Sequence, residues 1–289
     1  MTTGSMKLLY TSDLHGSKGH YARLATVAAS NHPDVVILGG DMLPDDSALY
    51  PRRMGKGQPT WVRGEFRAHM RQLRPACDAA DILVIFGNHD WTSSVTAMSE
   101  LAEEGLVSVL DLNHATEVRG LRFIGYSYTP PTPWFVKDFE RLDRPGDTPP
   151  LLGGARWDAR FGKAIPHAAD VLFGNAPTMT DDLAELNPPD QPWVFVAHTP
   201  PFDSGLDASL KGEPWGSHAV METIKKHQPL LSLHGHVHEA PTVSGSHKQQ
   251  IGKTVAVNPG QTRAALSYAL IDINVATCQV GDVLHGHQS

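Results

Sequence analysis

The stretch Leu233-His234-Gly235-His236-Val237-His238 places three imidazoles at alternating positions directly after an apolar run. In an extended strand, residues i and i+2 project from one face, so His236 and His238 can converge where the strand gives way to a loop. Gly235 lets the backbone turn sharply beside them. Neutral imidazole is the commonest protein metal ligand, so a metal site is the first chemistry this spacing offers. A solvated histidine cluster is the plain alternative, because the chain has 16 histidines to scatter.

Four further apolar stretches end in the same way. Lys7 to Ser12 stops at Asp13-Leu14-His15-Gly16, and Val35 to Leu38 stops at Gly39-Gly40-Asp41. Ile82 to Phe86 stops at Gly87-Asn88-His89-Asp90, and Trp193 to Ala197 is capped by His198. Between the first three lie segments with helical spacing, Leu24, Val27 and Ala28 in one and Phe66, Met70 and Leu73 in the next. This β-α-β-α-β rhythm with fully apolar strands predicts a sheet covered on both faces by helices. In open α/β sheets ligands bind outside the carboxyl ends of the strands.

Asp13, His15, Asp41, Asn88, His89, His198, His236 and His238 are therefore expected at one rim. Singly, Asp13 and Asp41 read as turn or N-cap residues, Gly87-Asn88 as a turn, and His198 as an ordinary satisfied histidine. Jointly they read as ligands. Carboxylate, amide and imidazole donors without cysteine suit divalent Mn, Fe, Ni, Co or Zn. The set is too large for one tetrahedral zinc and suits two octahedral-type ions sharing Asp41. Two cations about 3.5–4 Å apart form the clamp for in-line phosphoryl displacement.

The rest of the chain bounds the reading. With 289 residues and 40% hydrophobic content, it suits a single domain over residues 6–289, Met6 being read as the natural start and residues 1–5 as an expression remnant. No run of eighteen apolar residues and no secretory signal is found, so no membrane span is expected. Cys77 and Cys278 are too few for a disulfide framework, and a reducing cytoplasm is the expected location. A net charge of −7 without any Lys/Arg-rich run argues against long nucleic acid as partner. Oligomeric state is left open.

Residues 129–190 are rich in Pro, Gly and Asp with interspersed aromatics, and are read as a lid insertion over the site. Trp134, Trp157 and Trp215 are read as packing groups, and His20, His114, His167, His218 and His227 as surface or packing residues. The tail strands Thr254 to Asn258 and Leu266 to Ile273 are read as a meander completing a second sheet.

Asp13-Leu14-His15, Gly40-Asp41, Gly87-Asn88-His89-Asp90, His198 and Gly235-His236-Val237-His238 together resemble the five ordered motifs of the calcineurin-like metallophosphoesterases, and the segment from His198 through Pro200-Pro201, Gly216-Ser217 and His236 to Asn258-Pro259-Gly260 resembles their small prokaryotic branch. The resemblance spans residues 7 to 238. It implies a four-layer α-β-β-α sandwich of two mixed sheets flanked by helices, with two divalent ions, manganese first, at one edge. It further implies one ion on Asp13, His15, Asp41 and His238 and the other on Asp41, Asn88, His198 and His236.

The implied chemistry is phosphoester hydrolysis by a metal-activated water, with His89 facing the substrate to protonate the leaving oxygen or to bind the phosphoryl group. A small phosphodiester such as a cyclic nucleotide is the expected substrate, with a monoesterase, a nuclease or a non-catalytic scaffold as alternatives. The position three residues after the bridging aspartate, where several branches orient the catalytic histidine, is Pro44 here; Asp45 and Asp90 are candidates to replace it. His234 is expected to support the ligands from behind or to face solvent.

Overall fold

Alternation of side chains along apolar strands decides how the layers stack. The computed structural model describes residues 4–45, 54–76 and 80–289; Cys77 lies outside them. The chain runs through β1 (Ser5–Thr11), α1 (Lys18–Asn31), β2 (Val35–Gly39), α2 (Gly57–Trp61), a π-helical turn (Val62–Phe66), α3 (Arg67–Ala76) and β3 (Asp81–Ile85). Next come α4 (Val95–Glu103), β4 (Ser108–Val109), β5 (Thr116–Val118), β6 (Leu121–Tyr126), the hairpin β7 (Gly154–Asp158) and β8 (Lys163–His167), α5 (Ala169–Phe173) and α6 (Met179–Ala184). The chain closes with β9 (Trp193–Ala197), α7 (His218–His227), β10 (Leu231–Leu233), α8 (Ala240–Ser244), β11 (Lys248–Ile251), β12 (Thr254–Val257), β13 (Leu266–Asn274) and β14 (Gln279–Gln288).

Two six-stranded mixed sheets result, ordered β14-β13-β1-β2-β3-β4 and β11-β12-β10-β9-β6-β5. Strands β1 to β4 run parallel, as do β6, β9, β10 and β12, so their carboxyl ends share one direction within each sheet. Leu8, Tyr10, Val35, Ile37, Leu83 and Ile85 face the second sheet, where they meet Phe123, Val194, Val196 and Leu233. Their neighbours Leu9, Val36, Leu38, Ile82 and Val84 face outward onto α1, α3 and α4 through Leu24, Val27, Met70, Leu73, Met98 and Leu101. On the opposite outer face, Ile124, Phe195 and Ala197 pack on α6 and α7 through Met179, Leu183, Val220 and Ile224. The expected four-layer α-β-β-α sandwich is therefore present, built by period-two alternation on strands buried on both sides.

The tail departs from the expected meander. β11 and β12 do join the second sheet, but β13 lies antiparallel to β1 and carries β14 with it, which completes the first sheet. Leu266, Ala269, Ile271 and Ile273 are all fully buried, Leu266 with the core under α1 and α3 and the other three between the two sheets.

The segment 129–190 divides in two. Met179, Leu183 and Leu186 belong to the layer outside the second sheet. Asp143 accepts from Ser217 Oγ and from the backbone N–H groups of His218 and Ala219, so the segment also caps the start of α7. Phe123 is completely buried between the sheets. Phe123→Ala is expected to lower unfolding stability by about 3–5 kcal/mol, read from urea denaturation, through the cavity it leaves.

Candidate metal centre

Beyond the carboxyl ends of β1 and β2 the two loops keep pairing. Asp13 N–H donates to Gly40 O (3.0 Å), His15 N–H to Asp41 O (2.8 Å) and Gly16 N–H to Met42 O (2.9 Å). Gly235 N–H donates to His198 O (2.9 Å), which links the exits of β10 and β9 in the same manner. Four prospective ligands hold left-handed backbone conformations: Asp13 (φ 59°), His15 (φ 43°), Asp41 (φ 48°) and His236 (φ 64°). Each such residue costs on the order of 1–3 kcal/mol, and clusters of them mark functional sites. Asp, Asn and His tolerate this region best among residues with side chains. Gly40 (φ 99°) has no alternative, since a Cβ there would also lie 2.5 Å from His198 Nδ1.

These turns aim the donors at one another. His238 Nε2 lies 3.1 Å from Asp13 Oδ1, and His198 Nε2 lies 3.4 Å from Asp41 Oδ2 and 4.0 Å from Asp13 Oδ1. His15 Nε2 is 3.3 Å from His238 Nε2 and 3.9 Å from Asp41 Oδ2. Asp13, His15 and His238 form one group able to hold a cation, and Asp13, Asp41 and His198 another. The His236 ring packs edge-on to His198 at 5.4 Å between centroids. Asn88 is fully buried, and both atoms of its carboxamide lack a partner. His198 Nδ1–H donates to Gly39 O (2.7 Å), which fixes the tautomer, while its buried Nε2 has no hydrogen-bond partner. Orphaned buried polar atoms beside paired carboxylates fit a divalent cation and fit little else.

The charges agree. Burial opposes ionisation of Asp13, but His238 and His198 hold its carboxyl well below the usual range; Asp41 is held down likewise by His198 and His89. Burial pushes His15 down to about 4 and His236 down to about 3, leaving neutral rings. Burial also opposes charge on His198, yet Asp41 and Asp13 outweigh it and push that imidazole up to about 9.

Residues behind the candidate ligands set their positions. Asp90, a candidate for orienting His89, instead accepts from Leu43 N–H (3.1 Å) and Gly87 N–H (2.9 Å), clamping the Asp41 loop to the Asn88 loop. Burial, then the Asp41 charge, raise its carboxyl to about 8. Asp45 is exposed on the cleft wall. His234 does not face solvent: it is fully buried, with Nδ1 on Ala197 O and Thr199 O (both 3.0 Å) and Nε2 on Ser232 Oγ (2.7 Å).

Three residues to which sequence reasoning gave no role do similar positioning. Asn258 Nδ2 donates to the carbonyls of Leu206, Gly235 and Val237, which fixes the histidine loop. Gln261 Nε2 donates to Ser12 O (2.9 Å), and Gln58 Nε2 bridges Pro44 O and His89 O. Asn258 alone carried a signal, the Pro-Gly turn after it; nothing in the sequence marks a glutamine as a loop clamp.

The donors floor a cleft of about 1140 Å³, walled among the described residues by Ser17 and His20, by Pro130 to Trp134, by Pro214 to Gly216 and by Gln261 to Arg263. His89 lines it, its ring edge-on to His15 at 5.0 Å and 5.5 Å from the Trp134 ring. Trp134 and Trp215 are 52% and 49% exposed, so they are cleft walls rather than the packing groups expected; Trp157 does pack, against Trp91 and Val136. His20 is likewise buried at the cleft margin, and His218 stacks on Phe202 at 3.8 Å.

The sequence profile of the calcineurin-like phosphoesterases matches residues 6–240. The chain belongs to that family. This phosphoesterase has the fold of solved relatives at low identity. It is similar to the protein TT1561 of Thermus thermophilus at 18% identity and TM-score 0.58, over 98% of both chains. It is also similar to a phosphatase from Mycoplasma pneumoniae at 12% identity and TM-score 0.50, over 99% of this chain and 94% of that one. No curated protein sequence matches it. The family is metal-dependent and hydrolyses phosphoesters, and no helix among the described residues is long and apolar enough to cross a membrane.

A cation arriving at pH 7 must displace the proton that the raised His198 carries. Mn²⁺ affinity is therefore expected to rise with pH from 6.5 to 8. Calorimetric titration in two buffers of different ionisation enthalpy should show proton release; equal heats in both would count against this arrangement.

Proposed function

We propose that this phosphoesterase hydrolyses a small phosphodiester, a cyclic nucleotide among the candidates, at a two-cation centre. Asp13, His15, Asp41, Asn88, His198, His236 and His238 hold the ions in this reading, and manganese is the first candidate for an oxygen-rich, sulfur-free set. The observation that carries the proposal is the division of labour at Asp41. Its Oδ1 accepts the His89 N–H (2.7 Å), while Oδ2 faces both His198 (3.4 Å) and His15 (3.9 Å). One oxygen aimed at ligands on two sides is what a shared carboxylate requires.

When bound, a divalent pair supplies Lewis-acid activation of the attacking water and offsets charge on the phosphoryl group. The chain's own residues supply the rest. His89 is held at both ends of its main chain, by Asp41 at its N–H and by Gln58 at its carbonyl, so its ring is presented to the cleft without being spent on a cation. From there a ring nitrogen delivers a proton to the leaving oxygen.

Apart from the proposed ligands, the charged cleft residues among those described are Asp45, Glu239 and Arg263. One cation against two acids offers little to a doubly charged monoester, which favours the singly charged diester. Pro130 to Trp134 serve as the part of the 129–190 lid that meets substrate, and a chain with two cysteines suits the cytoplasm.

Hydrolysis of bis(p-nitrophenyl) phosphate is expected to require Mn²⁺. His89→Ala should lower kcat by about 10²–10⁴-fold at unchanged metal content. Absence of metal-dependent turnover on a panel of mono- and diesters, cyclic nucleotides included, would contradict the proposal.

A further inference from the structure

Two half-exposed tryptophans stand on the cleft walls, and each rides on a loop fixed by buried charge. Lys137 and Glu140 are both completely buried. Lys137 Nζ donates to Glu140 Oε2 and to Thr132 O, each at 2.8 Å. Glu140 accepts from Thr132 N–H (3.0 Å) and from Thr132 Oγ–H (2.5 Å), and Thr132 Oγ in turn accepts the Trp134 N–H (3.3 Å). The loop is closed at its neck by Thr129 N–H on Phe139 O and Arg141 N–H on Thr129 O, both 3.0 Å.

On the opposite wall Asp207, 1% exposed, accepts from the N–H groups of Asp203, Ser204 and Gly216, and its carbonyl accepts the Trp215 N–H (2.9 Å). Burying a lysine–glutamate pair is weak support for stability, and such pairs are best attested where they fix one conformation. Here the conformation fixed is that of Thr132 to Trp134, whose indole lies 5.5 Å from the His89 ring. An exposed indole on a rigid loop loses little entropy when a flat group stacks on it.

We propose that Trp134 is a specificity-determining residue that stacks on a flat aromatic group in the leaving half of the substrate, that Trp215 walls the opposite side, and that Lys137 and Glu140 are positioning residues for Trp134. The substrate class is then a phosphodiester of an aryl or nucleobase-bearing alcohol. This rests on the hydrolase reading above only for the word substrate; the binding preference stands by itself. No group in the pair touches a reacting atom. Its work is to keep the indole beside His89 while the cleft fills.

The test is calorimetric binding of two monoanionic diester mimics, methyl phenylphosphonate and methyl methylphosphonate, to the Mn²⁺-loaded protein. The wild type is expected to prefer the phenyl compound by about tenfold or more, the scale of one aromatic stacking contact. Trp134→Leu should reduce that preference to about threefold or less. The double variant Lys137→Met/Glu140→Leu, which keeps Trp134 and leaves no unpaired buried charge, should reduce it likewise while Mn²⁺ content stays at the wild-type value.

A wild-type preference near unity, or one that survives Trp134→Leu, overturns the specificity assignment. A double variant with full preference overturns the positioning role. Because the readout is binding, loss of the hydrolase reading would show separately, as preference without turnover.

Discussion

Two carboxylates buried at one rim are the constraint on which the structure turns. Asp13 and Asp41 are each 1% exposed, and a lone buried carboxylate pays several kcal/mol for leaving water. The chain surrounds them with four imidazoles but does not let all four neutralise them, since burial keeps His15 and His236 uncharged. What remains is a pair of buried carboxylates balanced only by the protons drawn onto His198 and His238, beside two neutral rings and an unpartnered carboxamide. A divalent cation can take the place of those protons and engage the unpartnered Asn88 carboxamide as well.

Holding the donors in place requires strain, and the sandwich supplies the rigidity to bear it. Left-handed turns at Asp13, His15, Asp41 and His236 are sustained because β2, β10 and the carboxyl-terminal half of β1 are buried on both faces and their exits are cross-tied by backbone hydrogen bonds. Asp90, His234 and Asn258 then fasten loop to loop. Apart from His234 Nε2 on Ser232 Oγ, their bonds are made to backbone, so they fix where each candidate ligand starts from and leave its donor atoms free.

Much of this was legible in the sequence because strand ends are where apolar runs stop. The order Asp13, Asp41, Asn88, His198, His236 follows directly from five buried strands, and period-two alternation predicts the layers. Other features were not legible, for identifiable reasons. A strand such as Leu266 to Asn274 has the same apolar alternation whichever sheet it joins; its partner, β1, is far off in sequence. Asp90 has a free carboxylate on paper, and its two backbone partners at Leu43 and Gly87 exist only once the loops meet. Tryptophan is usually a packing residue, so nothing in the sequence marks Trp134 and Trp215 as exposed; the loops that carry them are bonded to Glu140 and Asp207, contacts that form only in the fold.

The cleft is thus a hard floor of donors under two stiff aromatic walls, and all of its chemistry depends on what the floor binds. The most direct measurement is anomalous scattering at the manganese edge from crystals grown with Mn²⁺. Two peaks are expected on either side of Asp41 Oδ2, one within reach of His15 and His238 and the other within reach of Asn88 and His198. A single peak would contradict the shared carboxylate, and an empty rim would contradict the metal centre itself.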